Sequence, residues 1–159
     1  MLRDQPSKAL IGVVGVTAAA ILMVLVPKHE GTIYRGYIDP VGIVTACTGH
    51  TRTAEMRKYS GEECAKLLEA DLITHAVGVL GCTPGLKEHP KPLAAAVSLA
   101  FNVGVTAYCN STMARKFNAG DYAGACAEMS RWIRGGGRIL PGLVTRRAEE
   151  RDICEGGIG

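Results

Sequence analysis

The chain has 159 residues, 47% of them hydrophobic and 21% charged, with a formal net charge of +3. With an N-terminal apolar run set aside, that length suits one compact domain with a real core. The charge is too mild to argue for a nucleic-acid partner, since residues 1–27 carry +1 and the remainder +2.

The first element is Ala9–Val26, 18 residues without a charged side chain. As a helix it would span roughly 27 Å, close to the hydrocarbon thickness of a bilayer. Arg3 and Lys8 precede it and favour a cytoplasmic N-terminus. A cleavable signal needs small residues before its cut, but Val24, Leu25 and Val26 precede Pro27. Cleavage after Ala18–Ala19–Ala20 would leave Ile21–Val26 exposed, so an uncleaved anchor is expected; either reading gives export. Gly12, Gly15, Thr17 and the alanines add little to insertion, so the margin holding this run in lipid is modest. Another state that buried it comparably well would let it leave.

A short helix or turn is expected around Glu30, followed by a hairpin. Asp39-Pro40-Val41-Gly42 supplies the turn, and Ile43-Val44-Thr45-Ala46 has strand propensity. From residue 60 the chain reads helical. Ser60 and Glu63 form a capping box. Cys64, Leu67, Leu68, Leu72, Ala76 and Val79 follow at helical spacing, and Gly81 ends the helix. A second helix over Pro92–Val103, rich in alanine and apolar residues, reads as central and buried. Ser111 or Thr112 starts a short helix to Asn118, and Asp121 caps another to about Ile133. Gly135-Gly136-Gly137 breaks the chain before a last helix from Gly142 to Cys154. The fold class is α+β: after the anchor (1–27), a β-hairpin lobe (28–59), a connecting helix (60–81) and a larger helical lobe (82–159), with a cleft between the lobes.

Six cysteines, at 47, 64, 82, 109, 126 and 154, all lie beyond the anchor. An even number in an exported chain favours disulfides, and many pairings are formally open. The elements that carry them favour Cys47–Cys64, hairpin to long helix; Cys82–Cys109, between two post-helix loops; and Cys126–Cys154, within the helical lobe. There is no Cys-x-x-Cys pair and no clustered histidine, so neither a metal nor a cofactor is expected.

The chemistry points to Glu30, Asp39 and Thr45, spaced by nine and six residues. A protonated carboxyl can give its proton to a leaving sugar oxygen. A second carboxylate, with a hydroxyl, can hold the attacking water. The duller readings are a helix-end acid, a turn aspartate and a strand threonine. His50 reads better as a structural partner of Asp71, tying the hairpin to the long helix, than as a proton carrier. His75 and His89 read as surface or loop residues without an evident partner, and Trp132 as core. Arg146, Arg147, Glu149, Glu150 and Arg151 read as a solvated, salt-bridged helix face.

These motifs together resemble the phage-type lysozymes, glycoside hydrolase family 24, and more closely the signal-anchor-release endolysins of lambdoid phages. The resemblance runs through the anchor, Glu30-Gly31, Asp39 to Thr45 with Gly49-His50-Thr51, Phe101-Asn102-Val103-Gly104, Arg131-Trp132, and Gly142-Leu143 with Arg146-Arg147, Glu150-Arg151 and Cys154. It implies hydrolysis of the β-1,4 bond between N-acetylmuramic acid and N-acetylglucosamine in peptidoglycan. Glu30 falls on the general acid, Asp39 on the second carboxylate, and Thr45 on the water-binding threonine. Phe101, Asn102 and Ser111 would line the sugar cleft. It further implies a monomer held at the host inner membrane through residues 9–26, inactive and facing the periplasm, then released into it, with inversion at the sugar. Two rivals remain on sequence grounds. A lytic transglycosylase needs one acid and no positioned water, and leaves a 1,6-anhydro product. A non-catalytic anchored wall-binding module would not depend on Glu30.

Overall fold

The apolar run is broken in two in the computed structural model, which describes residues 5–157. Arg3, one of the two flanking cations, lies outside the described residues. Ser7 caps α1 (Lys8–Val14) by accepting a hydrogen bond from the Leu10 amide at 3.2 Å. At Gly15, with φ 86° and ψ 167°, the chain bends by 111° into α2 (Val16–Glu30). That backbone region is essentially closed to residues with a Cβ. Among the described residues no single helix is long and apolar enough to cross a membrane. The straight helix expected over Ala9–Val26 is therefore not the form seen here. The bend lets both halves lie on the protein, and Leu10, Val14, Ala18, Ala19, Leu22 and Val26 join the main core. Glu30 ends this helix rather than sitting in a short one of its own, and the expected boundary at residue 27 falls inside α2.

Antiparallel strands β1 (Ile33–Ile38) and β2 (Val44–Cys47) form the hairpin, pairing Tyr37 with Thr45 and Ile38 with Val44. Gly36 is required by close approach: a Cβ there would lie 2.0 Å from the Glu55 carbonyl oxygen. Ala46, Cys47, Tyr59 and Cys64 make a small separate core under the hairpin. A disulfide from Cys47 to Cys64 staples it to the first turn of α3 (Gly61–Cys82), where both halves of the Ser60/Glu63 capping box are formed. His50 Nδ1 lies 2.8 Å from Asp71 Oδ2 on α3.

The centre of the helical lobe is α4 (Pro90–Val103), buried without interruption from Pro92 to Ala100. A helix buried all round needs neighbours on every side; α1, α2 and α3 supply some, and α8 (Pro141–Gly156) the most extensive. Between them run α5 (Val105–Cys109), α6 (Thr112–Asn118) and α7 (Tyr122–Glu128). Disulfides Cys82–Cys109 and Cys126–Cys154 tie α3 to α5 and α7 to α8. The triple glycine does not simply break the chain. It lies within a second small hairpin, β3 (Arg134–Gly135) with β4 (Arg138–Ile139), whose turn is Gly136-Gly137.

Candidate active site

Glu30 reaches its position because α2 ends there, with the Gly31 amide bonded to the Pro27 carbonyl. Its side chain is 23% exposed, and Oε1 accepts a hydrogen bond from Arg146 Nη1 of α8 at 2.5 Å. No protein donor engages Oε2 among the described residues. Glu30 is thus partly buried and faces a guanidinium. It lines an open cavity of about 440 Å³ with Asn102, Leu140, Leu143, Thr145 and Arg146.

Asp39 sits at the hairpin turn. Its Oδ1 accepts from the amides of Val41 and Ile43 at 2.9 and 2.8 Å, which fixes the carboxylate and leaves Oδ2 without a backbone donor among the described residues. Thr45, buried on β2, donates its hydroxyl proton to the Ile43 carbonyl at 3.1 Å. The hydroxyl can then only accept from a further partner. Asp39 and Thr45 thus share the Ile43 backbone, whose N–H goes to one side chain and whose C=O accepts from the other. Neither lines the cavity that holds Glu30.

The three expected cleft residues separate. Asn102 lines the cavity, its Oδ1 accepting from Arg147 Nη2 at 3.1 Å. Phe101 packs on His75, ring centroids 4.9 Å apart and tilted by 40°, and the same His75 bonds the Asp71 carbonyl. His89 likewise has a partner, the Tyr122 ring. Ser111 is the N-cap of α6: Oγ accepts from the Ala114 amide and donates to the Tyr108 carbonyl, so its one proton is spent locally. Neither Phe101 nor Ser111 lines the cavity.

The largest departure is on α8. Arg146, Arg147 and Glu150 do not form a solvated face; their side chains are 4%, 1% and 0% exposed. Glu150 Oε2 accepts from Ser98 Oγ at 2.6 Å and from Arg146 Nε at 3.3 Å, and its Oε1 lies 2.6 Å from Arg147 Nε. Burial pushes the Glu150 carboxyl above its ordinary value, and burial likewise lowers Arg147. Arginine does not give up its proton, and the two guanidiniums oppose the rise at Glu150. The available signal was Ser98, a hydroxyl in an otherwise apolar buried stretch of α4, which requires a polar partner. The exposed end of this helix differs: Glu149 pairs with Lys28, and with His29 Nε2 at 3.0 Å.

Residues 27–150 match the phage lysozyme family. Over 161 aligned residues the chain is 38% identical to the SAR-endolysin of bacteriophage PS119, covering 96% of this chain and 93% of that protein. The fold is that of the active form of the P1 phage endolysin Lyz, with a TM-score of 0.81 at 20% identity and coverage of 99% and 98%. The secreted inactive form of the same P1 endolysin fits less well, with a TM-score of 0.56 at 16% identity over 98% of both chains. The N-terminal helices and the hairpin lobe thus belong to one known architecture, and this chain is a member of the phage lysozyme family.

Proposed function

We propose that the chain is an endolysin that hydrolyses the β-1,4 bond between N-acetylmuramic acid and N-acetylglucosamine in peptidoglycan. In this reading it is tethered to the host inner membrane by residues 9–26 until release. The single observation that carries it is the division of labour among three side chains. Glu30 is gripped on Oε1 by Arg146, which leaves Oε2 to carry the proton for the leaving sugar oxygen. Asp39 is gripped on Oδ1 by two amides, which leaves Oδ2 for a water. Thr45 has spent its proton on Ile43 and can only accept. A water giving one hydrogen to Asp39 and one to Thr45 presents its lone pair to the anomeric carbon, and attack from the face opposite the leaving group inverts the sugar. Glu30 is the general acid, Asp39 the base, and Thr45 the positioning acceptor. Asn102 borders the glycan beside Glu30.

Tethering explains why such an enzyme waits. Only Pro27, Lys28 and His29 separate Val26 from Glu30. While the run spans the bilayer, Glu30 is held at the membrane surface, and its helix cannot lie against α4 and α8. Release, with collapse of the membrane potential as the proposed trigger, lets the run fold as α1 and α2. No cysteine lies in residues 9–26, so thiol exchange within the anchor is not the trigger.

The test is turbidity clearing of chloroform-treated Gram-negative cells. Glu30→Gln should lose about a thousandfold or more of the rate with an unchanged far-UV spectrum. Clearing within about tenfold of wild type would sink the assignment. Reducing ends among the products, rather than 1,6-anhydro sugars, separate hydrolysis from transglycosylation.

A further inference from the structure

The second hairpin stands at the edge of the Glu30 cavity. Its strands pair Arg134 with Ile139 and Gly135 with Arg138, and the Leu140 amide extends the ladder to the Ile133 carbonyl at 2.9 Å. Gly136 and Gly137, at φ 57° and 80°, give the two-residue turn that sets this register. Opposed residues in an antiparallel pair share a face, and faces alternate along each strand. Gly135, Arg138 and Leu140 therefore lie on one face, Arg134 and Ile139 on the other. The position of Leu140 agrees: its Cδ1 lies 2.6 Å from where a Cβ on Gly135 would be. Leu140 also lines the cavity that holds Glu30. Arg138 thus stands two residues before a lining residue, on the lining side, at the rim.

Its charge is free. Arg131, Arg146, Arg147 and Arg151 each meet a carboxylate, and Arg134 donates to the Gly137 carbonyl of its own turn at 3.5 Å. Arg138 is exposed and meets no protein acceptor among the described residues. We propose that Arg138 is a specificity residue: it binds a free carboxylate of the peptide stem on a muramic acid seated in the cleft, so that stem-bearing strands are preferred to bare glycan. This rests on the glycan-hydrolysis reading above.

The chemistry of the substrate supplies the partner. In an intact strand both sugars are uncharged, because the lactyl carboxyl of N-acetylmuramic acid is consumed in the amide to its stem. Negative charge is then on the stem, whose acidic residues and C-terminus carry carboxylates. The stem hangs from the sugar's edge, away from the glycosidic bond, so its charges fall at the rim of a cleft that holds the bond. A guanidinium suits that position: its planar fork offers two parallel N–H donors to a carboxylate, and it keeps its charge. The pair is wet, so its contribution is modest and screened by salt. Arg134 is the natural control, with the same charge on the same hairpin but the opposite face.

The experiment measures reducing ends released from purified peptidoglycan over a range of substrate concentrations. Wild type, Arg138→Met, Arg138→Lys and Arg134→Met are compared. Three substrates are used: intact wall, wall whose carboxylates have been converted to methylamides, and strands stripped of stems by an amidase, which frees the lactyl carboxylate. On intact wall Arg138→Met should lower kcat/KM about fivefold, through KM, and Arg138→Lys should recover most of it. Arg134→Met should stay within about twofold of wild type. On the other two substrates wild type should fall to the Arg138→Met value. An equal loss from Arg134→Met would assign the effect to net charge. A loss that persists on methylamide wall would assign it to packing of the hairpin, and one undiminished on stripped strands to the lactyl group. Each overturns the proposal, as does a wild-type KM for Arg138→Met on intact wall. Wild type releasing no reducing ends from any substrate would fail the hydrolytic reading and the proposal with it, a result distinct from all of these.

Discussion

The hairpin lobe and the N-terminal helices each carry part of the candidate site, and they are held by opposite means. The hairpin is wired locally. Asp39 bonds amides two and four residues on, Thr45 bonds a carbonyl two residues back, and a disulfide closes 17 residues. Its small core needs only its own segment and the start of α3. The helices α1 and α2 are held at long range. The Ser7 amide donates to the Glu69 carboxylate, Lys28 and His29 meet Glu149, Glu30 meets Arg146, and the apolar side lies on α4. The difference shows how activity can be withheld without unfolding the enzyme. Asp39 and Thr45 are held by contacts within their own lobe and to α3, while Glu30 is held by the packing of a distant helix.

Three perturbations separate the two regions. The largest effect is expected from Cys47→Ala/Cys64→Ala, which removes the hairpin staple and should lower stability by about 3 kcal/mol in denaturant unfolding. The exchange protection of α2 should stay as in wild type; an equal loss there would mean the two regions are not separable. Next comes Gly15→Ala. The bent form needs φ 86° at this position, so alanine should destabilise it by about 2 kcal/mol while favouring a continuous helix. Gly12→Ala adds the same methyl where space is open and the backbone ordinary. Membrane retention measured by fractionation should therefore rise much more for Gly15→Ala than for Gly12→Ala. Equal retention would attribute the effect to hydropathy alone and remove the bend from the account.

The smallest effect concerns acid. Lys28, then His29, hold the Glu149 carboxyl below its ordinary value. A carboxyl depressed on folding contributes stability above its unfolded value, about 4.3, and loses it as pH falls through the lower folded value. The pair is partly exposed and screened by salt. Exchange at the end of α2 should thus be flat between about pH 7 and 5 and rise only below about pH 4, more so in low salt than in high. A rise already between pH 7 and 5 would assign the junction to another group.

What could be read from sequence follows the same division. The capping box at Ser60 and Glu63, the Asp39 turn and the helix starts at Thr112 and Tyr122 are legible because each is decided within a few residues. The His50–Asp71 contact and the Cys47–Cys64 bond join a hairpin to the helix that follows it, so chain order constrains them. Arg146, Arg147 and Glu150 were not legible as a buried cluster. Periodicity sorts charges to the outside unless a partner is known, and that partner sits on helices far along the chain. The bend at Gly15 was invisible for a related reason: an apolar run reads the same whether lipid or protein will cover it. Ser111 also caps a helix and Phe101 also packs on the His75 ring, contacts that resemblance did not bring to notice.

The most direct test of the central claim compares one chain in two states. Full-length protein held in proteoliposomes and the same protein released into detergent-free buffer, shown by mass to be of equal length, are assayed on purified peptidoglycan by release of reducing ends. The account predicts hydrolysis by the released chain and none above the Glu30→Gln background from the bilayer-held chain, with the hairpin amides equally protected in both. Equal hydrolysis by the bilayer-held chain would contradict it, because Glu30 would then be acting without the docking of α2.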